Sequence, residues 1–203
     1  MKEILQLQDR LDFLNTQEAC RDSFMEYIRY IWPGFIEGEH HRVIAERLTA
    51  VAKGELKRLI INMPPRHTKS EFASIYFPSW MMGLQPNLKI MQTTHTADLS
   101  INFGRKVRNL MDTEEYVKIF QDVNLAADSK SAGKWQTSKG GEYFAAGVGG
   151  AIAGRGADLL IIDDPHSEQD AMSMNLLDSC YEWYTSGPRQ RLQPGGAIVI
   201  VMT

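Results

Sequence analysis

One short segment, residues 61–71, combines residues that can bind phosphate. Lys69 and Ser70 follow an apolar stretch and precede a helix-like one. In a G-x-x-x-x-G-K-[ST] loop, the lysine contacts nucleotide phosphates and the hydroxyl binds Mg²⁺. Both glycines of that pattern are missing, because Met63 and Thr68 stand in their places. The segment predicts an unusual phosphate loop; the alternative is a strand–turn–helix corner in which Lys69 and Ser70 only begin a helix.

Such a loop binds phosphate through backbone N–H groups at the start of the following helix. Pro64 and Pro65 have no N–H, but their fixed φ can shape the loop. Arg66 adds a second cation. The residues predicted to contact the nucleotide here are Pro64, Pro65, Arg66, His67, Thr68, Lys69 and Ser70.

Two carboxylates end the apolar stretch "LLIIDD". Carboxylates at the end of a buried strand are costly unless they are paired or bind a metal. We predict that Asp163 holds Mg²⁺ together with Ser70, and that Asp164 orients or deprotonates the attacking water. The alternative is a pair of acids that cap a turn before Pro165.

The elements that must position these residues alternate between strands and helices. Apolar stretches that can be buried on both faces are separated by helical patterns, which is typical of a mostly parallel sheet flanked by helices. The predicted strands are residues 56–63, 88–96, 158–164 and 196–203, and the predicted helices between them include 69–82, 97–111 and 171–184. Residues 134–148 predict a hairpin, and residues 112–140 are otherwise too polar to assign. We divide the chain into an N-terminal helical extension, residues 1–35, and a core, residues 36–203. Apolar spacing predicts helix over residues 3–31 of the extension, with a break near residues 15–16.

Composition excludes some classes of function. The 203 residues carry a net charge of −3 with a pI near 6.0, which does not favour a non-specific nucleic-acid binder. Two cysteines suggest reduced thiols, and the sequence contains no signal peptide or membrane-spanning stretch. We therefore expect a soluble, cytosolic protein. The last strand reads as buried, so we also expect that the chain was cut from a longer protein.

Four segments together resemble a known family: "LIINMPPRHTKSE", "TTHTADLSINFGRKVRNLM", "GAIAGRGADLLIIDDPH" and "GAIVIVMT". Over about residues 24–203, the sequence is similar to the ATPase domain of tailed-bacteriophage large terminase subunits, the motors that pump DNA into capsids. The resemblance implies a P-loop NTPase fold of the ASCE/RecA-like type. A glycine-poor, arginine-containing phosphate loop is characteristic of that family.

The resemblance also implies roles for individual residues. Asp164 stands where the family usually has glutamate, which leaves open which carboxylate activates water. Thr203 falls at the start of a motif thought to couple hydrolysis to movement. Arg155 resembles an arginine proposed to act on a neighbouring subunit's ATP, with Arg189 and Arg191 as alternatives. The implied catalytic set is Arg66, Lys69, Arg155, Asp163, Asp164 and Thr203.

The base of the nucleotide would bind in the family's region before the first strand. Trp32, Phe35 and His41 are the candidates there, and each has an alternative role as a core or turn residue. The implied cofactors are ATP and Mg²⁺.

The implied partners are double-stranded DNA, bound weakly, neighbouring copies in a ring, a portal protein and a small terminase subunit. No membrane is implied, and the expected location is the cytoplasm of an infected bacterium, docked on the procapsid. The family's nuclease domain is absent, so we expect no DNA cleavage. Candidate DNA-binding residues, alternatively solvated surface, are Arg105, Lys106, Arg108, Lys130, Lys134 and Lys139. Alternative functions are a helicase-like translocase and a nucleotide-binding scaffold that does not hydrolyse.

Overall fold

A seven-stranded sheet forms the centre of the molecule. The structure is a computed structural model that describes residues 1–203, apart from the side chains of residues 129 and 130. The strands are β1 (Arg58–Asn62), β2 (Lys89–Thr94), β3 (Leu125–Lys130), β4 (Lys134–Thr137), β5 (Glu142–Gly147), β6 (Ala157–Asp163) and β7 (Leu192–Met202). They lie in the order β1-β7-β6-β2-β5-β4-β3. The first five strands in this order are parallel, and β4 and β3 are antiparallel.

Helices flank the sheet, as the alternating pattern predicts. They are α1 (Lys2–Asp22), α2 (Phe24–Ile31), α3 (Glu39–Ala52), α4 (Phe77–Leu84), α5 (Ala97–Met111), α6 (Glu114–Ile119) and α7 (Met174–Ser186). A π-helical segment (Glu71–Tyr76) precedes α4, and short 3-10 turns span Asp170–Met172 and Pro188–Arg191. The predicted fold class, a mostly parallel sheet flanked by helices, is confirmed.

The strand order determines which residues can meet. Strand β7 lies between β1, which leads into the phosphate loop, and β6, which ends at the acids. Because β1, β7 and β6 are parallel, their carboxyl ends share one edge of the sheet. Ligands of open parallel sheets bind outside that edge. The loop, the acidic pair and the end of β7 are therefore brought together by topology.

The N-terminal helices differ from the predicted pattern at one point. The sequence predicts a break near residues 15–16, whereas α1 continues through them and ends at Asp22. Thr16 is accommodated because its hydroxyl donates to the carbonyl of Asp12 one turn earlier. The break lies at Ser23, whose Oγ accepts the Glu26 N–H and so begins α2.

The predicted helix over residues 69–82 is not a regular α-helix throughout. Its first part is π-helical over Glu71–Tyr76, with the Phe77 N–H donating to the Phe72 carbonyl five residues back. Pro78, in the first turn of α4, lacks an N–H and its ring would crowd the carbonyl four residues earlier. A wider turn immediately before the proline relieves that conflict. Such segments are frequent at functional sites.

The remaining differences are small. The predicted hairpin over 134–148 is β4 and β5, with Gly140 at φ 86° in its turn. Residues 112–140, which the sequence leaves unassigned, hold α6 and β3. The predicted helix over 171–184 begins as a 3-10 turn and becomes α7 only after Ser173, whose backbone is extended.

The hydrophobic core lies on both faces of the sheet. On one face α2 is fully integrated, since Phe24, Tyr27 and Ile28 are completely buried in one cluster with Phe72 and Trp80. Residues on either side of position 35 therefore share this core, and the division at that position stays a prediction. The first half of α1 instead presents exposed apolar side chains.

Among the described residues, no helix is both long and apolar enough to cross a membrane. Both cysteines, Cys20 and Cys180, are free and buried.

Candidate nucleotide-binding site

The loop after β1 has a backbone that normally requires glycine. Arg66 and Thr68 have φ of 64° and 58°, in the left-handed region. Thr68 stands where the usual pattern has its second glycine, so the chain adopts the glycine conformation with a β-branched residue. The N–H groups of Arg66, His67 and Thr68 donate no hydrogen bond within the described chain. Consecutive free N–H groups of this kind form an anion-binding concavity.

A histidine from α3 reaches this loop. His41 Nε2 lies 2.6 Å from Thr68 Oγ1, and the same hydroxyl donates to the His67 carbonyl at 2.7 Å. The other ring nitrogen, Nδ1, accepts the Gly38 N–H at 2.9 Å. Nε2 must therefore carry the proton and donate to Thr68. Burial, with a further contribution from His40, lowers the pKa of His41, which favours this neutral form.

Lys69 is buried beside the end of β7. Its Nζ donates to Thr203 Oγ1 at 2.6 Å and lies 3.7 Å from Asp164 Oδ2. The Thr203 hydroxyl in turn donates to Asp164 Oδ1 at 3.2 Å. Lys69 is only 6% exposed, and a buried ammonium requires anionic partners. The predicted site residues Lys69, Asp164 and Thr203 thus form one connected group.

Asp163 is the more buried of the two acids, at 2% exposure. Ser70 Oγ donates to its Oδ1 at 3.1 Å, and Ser74 Oγ donates to its Oδ2 at 2.6 Å. Burial raises the pKa of Asp163 to about 6 in spite of these two hydrogen bonds, which lower it. A carboxylate that is costly to ionise is stabilised by a nearby cation. Ser70 and Asp163 therefore supply oxygen ligands suited to Mg²⁺.

Ser74 is a site residue that the sequence reasoning missed. It is completely buried on the π-helical segment and holds the second oxygen of Asp163. The available signal was a second hydroxyl four residues after Ser70, which places both on one helical face.

Asp164 turns its carboxylate toward Lys69 through an unusual backbone. Its φ is 42°, and its N–H donates to the Val201 carbonyl at 2.9 Å. Its own carbonyl accepts the N–H of His95, 3.2 Å away. His95, directly after β2, is a second residue that sequence reasoning missed, although its place at the same sheet edge could have indicated it.

The described chain has three non-glycine residues with positive φ: Arg66, Thr68 and Asp164. All three line a single cleft of about 870 Å³. Each costs on the order of 1–3 kcal/mol, and such residues concentrate at functional sites. The cleft volume suits a small-molecule ligand. Its walls also include Lys69, Ser70, His95, His166 and Thr203.

The arginines predicted to act on the γ-phosphate lie elsewhere. Arg155 precedes β6, and its guanidinium pairs with Glu142 at 2.5 Å and lies 3.9 Å from the centre of the Phe144 ring. Arg189 and Arg191 precede β7 in the same way. Starts of parallel strands lie at the edge opposite their carboxyl ends. These three arginines are therefore across the sheet from the loop of their own chain, and action on a neighbouring copy's ATP stays a prediction.

The aromatic residues predicted to contact the base pack mainly against one another. Trp32 stacks on Tyr76 with centroids 4.9 Å apart and contacts Phe35 at 5.1 Å. The ring of His41 contacts Phe35 and Phe72 and is 5% exposed. A base contact by His41 stays a prediction. Base contacts by the partly exposed Trp32 and Phe35 stay a prediction.

The basic residues predicted to contact DNA are at the surface where they are described. Arg105, Lys106, Lys134 and Lys139 are exposed, and Arg108 is half-buried. The side chain of Lys130 lies outside the described part of the chain. Surface exposure alone does not test DNA binding, and DNA contact by these residues stays a prediction.

Comparison with known proteins supports the fold. No family model matches the sequence. No curated protein matches it either. Among solved structures, the chain is similar to the large terminase of bacteriophage HK97, with a TM-score of 0.53 and 11% identity over 83% of this chain. The chain spans about a third of the length of that protein, since 33% of it is covered. The domain is therefore terminase-like in fold, and the mostly parallel α/β architecture expected from the sequence agrees with this similarity. The P-loop ATPase assignment stays a prediction.

Proposed function

We propose that this domain binds ATP with Mg²⁺ in the cleft and hydrolyses it, as part of a motor that moves double-stranded DNA into a phage capsid. The observation that carries the proposal is that four side chains with complementary chemistry lie close together. Lys69, Ser70, Asp163 and Asp164 meet at one edge of the sheet beside a loop with free N–H groups. That set corresponds to the needs of phosphoryl transfer, which are phosphate binding, a metal and a residue that orients water.

The residues fit the implied metal. Ser70 and Asp163 would hold Mg²⁺, which neutralises charge on the β- and γ-phosphates when it is bound. The fit rests on the donor set of hard oxygen atoms and on the buried carboxylate of Asp163, whose pKa is raised by burial and which a cation would therefore stabilise in its ionised form. Ser74 keeps that carboxylate in place through its second oxygen.

The other residues have separable roles in the proposed reaction. Arg66 is the one arginine lining the cleft of the described chain, and it has no hydrogen bond or ion pair there, so its cation is available to phosphate. Lys69 would exchange its contacts with Thr203 and Asp164 for phosphate oxygens. Asp164, released from Lys69, would then accept a hydrogen bond from water and orient it for attack. Thr203, which is hydrogen-bonded to both Lys69 and Asp164, would transmit this change of contacts to β7.

The DNA-packaging part of the proposal rests on coarser support. It is favoured by the fold shared with a large terminase and by the sequence segments that resemble that family. Neighbouring copies in a ring, a portal protein, a small terminase subunit and the host cytoplasm belong to the same proposal. Weak, salt-sensitive DNA binding would come from exposed basic side chains such as Arg105 and Lys106.

Titration with a fluorescent ATP analogue tests nucleotide binding directly. We expect binding that requires Mg²⁺ for full affinity and that is lost in Lys69→Ala. Lys53→Ala is the matched control, because Lys53 is exposed at the opposite edge of the sheet. Equal affinity in all three proteins would contradict the assignment of the cleft.

A further inference from the structure

The conformation of Thr68 calls for an additional support. A β-branched residue is disfavoured in the left-handed region, which glycine enters freely. Thr68 has φ of 58° and is partly exposed in the middle of the loop. Its hydroxyl makes two hydrogen bonds, one received from His41 at 2.6 Å and one donated to the His67 carbonyl at 2.7 Å.

His41 is a rigid anchor for the first of these bonds. Its ring is stacked on Phe72, with centroids 5.1 Å apart, and meets the edge of Phe35 at 4.8 Å. The Gly38 N–H fixes the ring from the other side through Nδ1. These contacts determine the position, tautomer and orientation of the His41 ring. The anchor belongs to α3, an element separate from the loop.

We propose that His41 is a positioning residue for nucleotide binding, which holds Thr68 in the conformation that glycine supplies in ordinary phosphate loops. It acts through Thr68 and does not touch the nucleotide. The inference rests on the proposed function, because the ligand it serves is the nucleotide phosphate bound by Arg66, Thr68 and Lys69. It also replaces the expected base contact of His41 with a different role.

A double-mutant cycle tests the idea. His41→Phe keeps the ring packing and removes the donor, and Thr68→Gly removes the need for it. We expect His41→Phe to weaken Mg²⁺-dependent binding of ATPγS by about fivefold to tenfold, the range that corresponds to one hydrogen bond. In the Thr68→Gly background the same change should weaken binding by less than about twofold.

The conservative variant separates positioning from general damage. His41→Gln retains an N–H donor near the place of Nε2, so its affinity should stay closer to the wild type than that of His41→Phe. Equal losses from His41→Phe in the wild-type and Thr68→Gly backgrounds would overturn the proposal, since the effect would then not pass through the threonine. No loss from His41→Phe in either background would overturn it as well.

A nucleotide-free measurement keeps this inference distinct from the proposed function. Hydrogen exchange at the Phe72 amide, which donates to the Thr68 carbonyl at 3.0 Å, should be faster in His41→Phe than in the wild type, and that substitution should change nothing in the Thr68→Gly background. If Lys69→Ala binds nucleotide as well as the wild type, the proposed function fails while the exchange result still decides the role of His41. If the Phe72 amide exchanges at the same rate in His41→Phe and in the wild type, the positioning role is refuted even where nucleotide binds.

Discussion

Replacement of Asp163 by asparagine should stabilise the metal-free protein at pH 8. Asp163 is 2% exposed, and burial raises its pKa from an ordinary 3.8 to about 6. That shift corresponds to about 3 kcal/mol of unfavourable free energy when the carboxylate is ionised in the folded state. Asparagine carries no charge, and its amide can both accept from and donate to the hydroxyls of Ser70 and Ser74.

The pH dependence gives the prediction its direction. Because the pKa is higher in the folded than in the unfolded state, the folded protein binds the extra proton between about pH 4 and pH 6. Wild-type stability should therefore fall as the pH rises through this range, and the loss is complete above about pH 6. The advantage of Asp163→Asn should be up to about 3 kcal/mol at pH 8 and about 2 kcal/mol smaller at about pH 4.5.

Urea denaturation in EDTA at the two pH values measures both quantities. Asp178→Asn is the matched control, because Asp178 is exposed on α7 and should show neither effect. The same Asp163→Asn protein should lose Mg²⁺-dependent nucleotide binding. A variant that is less stable than the wild type at pH 8, or a difference that does not change with pH, would refute the account of Asp163 as a costly buried charge.

Four further outcomes are expected. Ser74→Ala should raise the Mg²⁺ concentration needed for half-maximal hydrolysis by about tenfold, since one buried hydrogen bond to Asp163 is lost. A Mg²⁺ titration measures this concentration, and an unchanged value would argue against a role of Ser74 in holding Asp163. Thr203→Val should slow hydrolysis more than Thr203→Ser, which keeps the bridging hydroxyl; equal rates of phosphate release would refute this. If Arg155 acts on a neighbouring copy, specific activity should rise with protein concentration, and a flat series would remove that role. DNA affinity, measured in binding isotherms, should fall steeply with added salt, and a salt-independent isotherm would contradict electrostatic binding.

The phosphate loop illustrates how far the sequence leads. Lys69 and Ser70 could be predicted, because their types and order carry the chemistry and the preceding strand places them at a sheet edge. The left-handed backbone of Thr68 could not, because it depends on a hydrogen bond from His41, 27 residues earlier in the chain. A β-branched residue such as Thr68 favours negative φ, and the tertiary contact with His41 outweighs that local preference.

The acidic pair could likewise be predicted from the sequence only in part. An apolar strand that ends in two acids predicts Asp163 and Asp164 at the functional edge, and the structure places them there. Ser74, which donates to Asp163, lies on the π-helical segment, and sequence periodicity does not predict that segment. The backbone turn at Asp164 depends on carbonyl and N–H partners from β7 and from the residue after β2.

The location of Arg155 at the sheet edge away from the phosphate loop could have been inferred from the direction of β6. This arginine directly precedes β6, and a residue before a parallel strand lies at the edge away from that strand's carboxyl end. Its pairing with Glu142, at the start of β5, agrees with this position. Action of Arg155 on a neighbouring copy's ATP stays a prediction.

Steady-state phosphate release from Mg·ATP tests the central claim most directly. The wild type should release phosphate, and Lys69→Ala should do so at least about a hundredfold more slowly, as expected for loss of a principal cation at the transferred phosphate. Lys53→Ala should match the wild type. Equal rates in the wild type and Lys69→Ala, or no release above background by the wild type, would contradict ATP hydrolysis in this cleft.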